Sequence, residues 1–172
     1  MPPNRGKQFE DVIREAFEKV PGVSIDRLHD QTTHYKGSTN ICDFIVYREP
    51  YEYYFECKSV HGNTLPFSNI TETQWSGLLE KSKIEGVFAG VICWWIDKDI
   101  TAFIPIGYLE FMKWYRPECK SINVKDMLRE SEQLEPYLDF QNPHFIEIKG
   151  KKKRVFFDYD MESLLDELGE NL

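Results

Sequence analysis

No stretch of this chain approaches the roughly 18 consecutive apolar residues that a bilayer helix requires. A membrane-spanning role is therefore not expected. The opening residues, MPPNRGKQFED, are polar and charged, unlike the apolar core of a secretory leader. Cysteine is scarce, and the four present (Cys42, Cys57, Cys93, Cys119) form no C-x-x-C unit. Cys42, Cys57 and Cys93 fall in or beside apolar runs, which predicts reduced, structural thiols in a cytosolic compartment. The four histidines, His29, His34, His61 and His144, lack zinc-ligand spacing. Repeats and low-complexity linkers are absent. The 172 residues point instead to one domain, with 41% apolar and 15% aromatic residues to fill its core.

Cations are also in deficit, with 21 Lys and Arg against 29 Asp and Glu, for a net charge of −8. Such a balance at first argues against a nucleic-acid partner. The charge is uneven, however. Asp158 to Leu172 holds six acids and no Lys or Arg, whereas KGKKKR (Lys149 to Arg154) holds five cations in six residues. Arg5 and Lys7 make the start of the chain basic. An acidic total does not exclude DNA when the acids sit in a tail or at a metal.

The patterning is that of an α/β chain. In NRGKQFEDVIREAFEKV, Phe9, Ile13, Ala16, Phe17 and Val20 recur at helical spacing, with Asn4 as cap and Pro21-Gly22 as stop. GVSIDRLHD reads as a short strand and QTTHYKGSTN as a polar loop. ICDFIVY and YEYYFECK read as two strands around a turn at Arg48-Glu49-Pro50. VHGNTLPFSN reads as a loop, and TETQWSGLLEKSKIEG as a helix capped by Thr71 and stopped at Gly86. VFAGVICWWI is apolar throughout, as a strand buried on both faces should be, with one indole of Trp94-Trp95 facing the core. DITAFIPI is its neighbour. GYLEFMKWYR and VKDMLRESEQL read as helices, HFIEIKGKKKRVFF as a hairpin turning at Gly150, and DMESLLDELGENL as a terminal helix. The order predicts a mixed sheet flanked by helices.

The chemistry-bearing stretch is DFIVYREPYEYYFECKS. Asp43 and Glu56 fall on adjacent strands of the expected hairpin, so their carboxylates can converge. Lys58 points to the same face as Glu56, because alternate strand residues share a face. Two carboxylates that leave room for water suit Mg²⁺, and the Cys57 carbonyl between Glu56 and Lys58 offers a third oxygen. Lys58 can orient or deprotonate a water, or stabilise charge on a phosphate. The same spacing also describes an ordinary ion pair on a sheet surface. Against that, Asp43 precedes apolar FIVY and Glu56 follows YYF, so both fall at buried strand ends where an unpaired carboxylate is costly. Glu10 on the first helix can add a further acid.

NRGKQFE (Asn4 to Glu10), CDFIVY, ECKS, TLPFSNI (Thr64 to Ile70) and Gln74 occur in an order and spacing that resembles the RecU family, over Asn4 to about Ile104. RecU proteins are Holliday junction resolvases of Gram-positive bacteria and their phages, within the PD-(D/E)xK nuclease superfamily. The resemblance implies a restriction-endonuclease-like core spanning about residues 4–106, with residues 107–172 as an elaboration of a single domain. It implies a cytoplasmic homodimer that cuts four-way DNA junctions in recombination and repair, using Mg²⁺ or Mn²⁺. Asp43 and Glu56 would bind the metal with the Cys57 carbonyl, and Glu10 would support it, through a water. Lys58 would be the catalytic lysine, and Gln74 would face the site or the DNA. Arg5 would approach a phosphate. Apart from the resemblance, Lys7, Lys36 and His61 are candidate phosphate contacts by their charge and place, and the run Lys151, Lys152 and Lys153 reads either as a solvated turn or as a phosphate grip.

This sequence departs from the family in two places. Ile41-Cys42 precede Asp43 where the family has Thr-Thr, so a hydroxyl near the metal is missing unless Ser38 or Thr39 replaces it. The family's long basic stalk is reduced to HDQTTHYKGSTN, whose one lysine is Lys36. That shortening leaves forks, flaps and other branched intermediates open as substrates. A DNA-binding protein that has lost turnover is the alternative from outside enzymology.

Overall fold

A computed structural model describes residues 4–28, 40–125, 127 and 145–170. The loop containing Lys36 and most of the helix expected over VKDMLRESEQL lie outside the described residues.

Chain order begins with α1 (Arg5–Phe17), β1 (Ser24–Arg27), β2 (Phe44–Arg48) and β3 (Tyr51–Val60). Next come β4 (Thr64–Pro66), a 3₁₀ turn (Phe67–Asn69), α2 (Glu72–Lys81), β5 (Val87–Trp95) and β6 (Ile100–Pro105). α3 (Ile106–Tyr115) and β7 (Ser121–Asn123) are followed by β8 (Ile146–Glu147), β9 (Gly150–Lys152), β10 (Phe157–Tyr159) and α4 (Met161–Glu170). Six strands form one mixed sheet in the order β1-β2-β3-β5-β6-β8. Only the central β3–β5 pair is parallel, running from Glu52↔Val87 to Val60↔Trp95. The fold is thus the α/β class expected, a mixed central sheet flanked by helices.

Each face of the sheet has its own core. On one side Phe9, Ile13 and Phe17 of α1 and Leu164, Leu165 and Leu168 of α4 pack on Phe44, Tyr53 and Phe55. On the other, Trp75 and Leu78 of α2 and Leu109 and Met112 of α3 pack on Tyr54, Val60, Val91 and Cys93. β5 is covered on both sides, which accounts for its unbroken apolar run. Both Trp94 and Trp95 are therefore buried, one in each core, where one core-facing indole was expected.

Several local expectations need correction. α1 ends at Phe17, ahead of Pro21, and α2 ends at Lys81, ahead of Gly86. The stretch read as a loop after β3 contains β4, which pairs with the distant β7. Gly150 is not a hairpin turn. β8 joins the main sheet beside β6, and Gly150 opens β9, which pairs with β10 across a turn at residues 153–156.

Candidate active site

The site is assembled where β2 starts and β3 continues past it. Asp43 lies just before β2 and is fixed through its backbone. Its N–H donates to the Phe55 carbonyl at 3.1 Å, and its carbonyl accepts from the Leu28 N–H at 2.8 Å. Two residues beyond Phe55 on the same edge, the Cys57 N–H donates to the Asp43 carboxylate at 2.7 Å. The N–H and C=O of one strand residue face the same edge, so the Cys57 carbonyl opens toward Asp43.

Glu56 projects to the α2 side and is only 2% exposed. Its Oε1 accepts from Lys58 Nζ at 2.6 Å and from Gln74 Nε2 at 2.7 Å. Gln74 is held in that orientation by a capping box. Its own Oε1 accepts from the Thr71 N–H at 3.0 Å, and its N–H donates to Thr71 Oγ1 at 3.3 Å. Helix capping and active-site geometry thus share one side chain.

The second oxygen, Glu56 Oε2, is buried and has no hydrogen-bond partner among the described residues. Burial and the neighbouring Asp43 charge push the Glu56 carboxyl up to about 7, against the opposing pull of Lys58. A carboxylate with one satisfied and one orphaned oxygen beside a second carboxylate is costly without a cation. Among the described residues no three His, Cys, Asp or Glu side chains are grouped to hold a metal. The available donors are two carboxylates and a carbonyl. That set fits Mg²⁺ or Mn²⁺, hard ions that complete their shells with water, and does not fit a zinc cage.

The other predicted residues lie elsewhere. Glu10 pairs with Arg27 Nη2 at 2.8 Å, while Arg27 Nη1 holds Asp11 at 2.7 Å. Glu10 influences Glu56 through its charge but does not bond to it. Arg5 and Lys153 line a groove of about 420 Å³ between α1 and the β9–β10 ribbon, with the Arg5 guanidinium 5.9 Å from the Phe156 ring centre. That groove lies on the α1 side of the sheet, away from the face that carries Glu56 and Lys58. Lys7 is exposed, and its N–H donates to the Asn4 cap. His61 is exposed with Nδ1 3.0 Å from Asp97. On the ribbon, Lys151 is exposed, Lys152 pairs with Asp99, and Lys153 stands 3.6 Å from Asp158.

Cys42 hydrogen-bonds the Phe44 carbonyl at 3.3 Å, and burial raises its thiol to about 12, followed in effect by the Glu56 and Asp43 charges. It stays a neutral thiol where the resembling family carries a hydroxyl. The sequence reading missed Arg27, because a clamp 17 residues from Glu10 leaves no local signal.

No family model matches the chain, and no curated protein does. Among solved structures it is similar to the Holliday junction resolvase Hjc of Archaeoglobus fulgidus, from an archaeal hyperthermophile. The two share 16% identity over 61% of this chain and 78% of that one, with a TM-score of 0.42. A likeness this slight transfers no residue role, so the chemistry rests on the site's own geometry.

Proposed function

We propose that this protein is a metal-dependent endonuclease that hydrolyses phosphodiester bonds in branched DNA, with four-way junctions as its substrate and a homodimer as its working form. One observation carries the reading. Asp43 accepts from the Cys57 N–H and its charge bears on Glu56, whose one oxygen holds Lys58 and whose other is buried without a partner among the described residues. An ordinary surface ion pair explains neither the burial nor the orphaned atom.

Asp43, Glu56 and the Cys57 carbonyl would hold Mg²⁺ or Mn²⁺. When bound, the ion supplies Lewis acidity toward a phosphate oxygen and lowers the pKa of a water. The rest falls to the chain. Gln74 fixes the Glu56 carboxylate and frees Lys58 to be shared with an incoming water or phosphate. As an ammonium Lys58 would orient the attacking water and stabilise charge on the phosphate, and only as the neutral amine would it take the water's proton. Glu10 stays outside the direct donor set, held by Arg27, and adds negative charge to the site. A dimer would present two such sites, one for each strand cut at a junction.

The short segment between β1 and Asp43, where the resembling family has a stalk, favours a second reading with the same chemistry on forks or flaps. Nicking of labelled four-way junctions, forks, flaps and linear duplex with Mg²⁺ separates the two. The proposal expects Mg²⁺-dependent cutting of branched DNA. Asp43→Ala should cut nothing while retaining affinity. Lys58→Ala should cut about 10² to 10⁴ times more slowly, with binding nearly unchanged. Full activity in either variant removes that residue from the mechanism. Binding without turnover in wild type would leave a non-cleaving DNA-binding protein.

A further inference from the structure

We propose that the last turn of α3 is a stacking platform for an unpaired base, such as the single-stranded arm of a fork or flap offers or a junction exposes when a central pair is opened, an inference that rests on the DNA-cleaving function above. Trp114 is 76% exposed and Tyr115 50% exposed, while most of the chain's aromatic rings are packed away. Neither ring is loose. Phe111 stacks on Tyr115 at 5.5 Å and 12°, and lies 6.0 Å from Trp114, so an inner ring props the two outer ones.

The surroundings are cationic on a chain that is acidic overall. Lys113 lies 4.1 Å from the Trp75 ring centre and Arg116 5.9 Å from that of Tyr115, with Lys120 close in sequence. The acids close in sequence are Glu110, which accepts from Trp75 Nε1 at 2.5 Å and keeps its charge, and Glu118, so the three cations outnumber them by one. A hollow of about 460 Å³ that meets α3 at Lys113 is lined by Phe67, Ser68, Lys113 and Lys120, and by neither platform ring. This is the size of a small-ligand pocket, enough for one nucleotide with lysines for its phosphate. The patch is also on the correct side. α3 packs with α2 on the face that carries Glu56 and Lys58, and Trp75 follows Gln74 directly.

Charge decides the occupant. In a two-fold dimer the patch would meet its own copy, which would bring one surplus of positive charge against another. A nucleic acid brings phosphates to the lysines and base faces to the rings. Bases inside a duplex are already stacked on both faces, whereas each unpaired base has a free face to offer.

The test uses the full chain in metal-free buffer with EDTA, a fluorescein-labelled oligothymidylate and a blunt duplex. Trp114→Ala should weaken oligothymidylate binding about tenfold and leave duplex affinity within about twofold, a change too small for a lost stacking contact. Trp114→Phe should restore most of the loss. Tryptophan emission, from four residues, should be partly quenched when unlabelled oligothymidylate is added to wild type, and not in Trp114→Ala. Equal loss on both DNAs, or no loss on either, overturns the platform. So does a dimer in sedimentation that Trp114→Ala converts to monomer, which would make the patch a subunit interface. Because no metal is present, absence of Mg²⁺-dependent nicking in wild type would fail the nuclease reading without touching this result.

Discussion

Glu56 concentrates the chemistry at the scale of single residues. Its folded carboxyl lies near 7 against an ordinary 4.5, raised first by burial and then by Asp43. A carboxyl with a raised folded pKa takes up its proton more readily in the native state. Its favourable contribution is complete below the unfolded value and is lost as pH rises through the folded one. In EDTA the protein should therefore lose stability between about pH 4.5 and 7, by on the order of 3 kcal/mol. Glu56→Gln keeps an acceptor for Lys58 and removes the charge. It should unfold at higher urea than wild type at pH 8 and show no cutting. Saturating Mg²⁺ should flatten the wild-type pH dependence. Urea melts with and without Mg²⁺ check this, and a wild type equally stable at pH 5 and pH 8 in EDTA would contradict it.

At the scale of elements, α2 governs the site through close packing. A Cβ on Gly77 would fall 2.3 Å from Ile41 Cγ2, two residues before Asp43, so only glycine lets the helix approach this closely. Gly77 is one turn beyond Gln74. Gly77→Ala should cost about 1–3 kcal/mol and reduce cutting by pushing Gln74 off Glu56. Denaturation and nicking assays read both effects, and wild-type values in both would contradict the packing account. Much of this was legible beforehand, because local rules govern it. The Asn4 and Thr71 caps, the β2–β3 hairpin, the continuous β5 and the shared face of Glu56 and Lys58 all follow from neighbours in sequence. What was not legible depends on distant partners. β4 finds β7, β8 finds β6, and Gly150 begins a strand because Tyr159 pairs with it. A Lys-Gly-Lys stretch looks the same in a turn. The aromatic platform on α3 was hidden too, since helical spacing does not distinguish a core ring from one left in water.

At the scale of the molecule, the two ends of the chain meet under the sheet. Leu164, Leu165 and Leu168 of α4 share a core with Phe9 and Phe17 of α1, and β8 closes the sheet on β6. The C-terminal segment is thus part of what holds α1 in place, with its Glu10 and Arg27 clamp, though none of its described residues bonds to the acid and lysine cluster. Leu168 is fully buried. Leu168→Ala should cost about 2–5 kcal/mol in urea denaturation, with the folded fraction retaining its cutting rate. No measurable loss of stability would show that α4 does not support the core. The cations are distributed as well. Arg5, Lys153 and Arg154 lie on the α1 side, and Lys113 and Lys120 on the α2 side, so the proposed branched substrate would meet charged surface on both sides of the sheet.

The central claim is that a divalent ion sits between Asp43 and Glu56. Anomalous diffraction from crystals soaked in Mn²⁺ tests it most directly. The account predicts a single strong peak in contact with both carboxylates and the Cys57 carbonyl, absent in Asp43→Ala crystals. Electron density showing that pocket empty at saturating Mn²⁺, or the ion bound elsewhere, would contradict it.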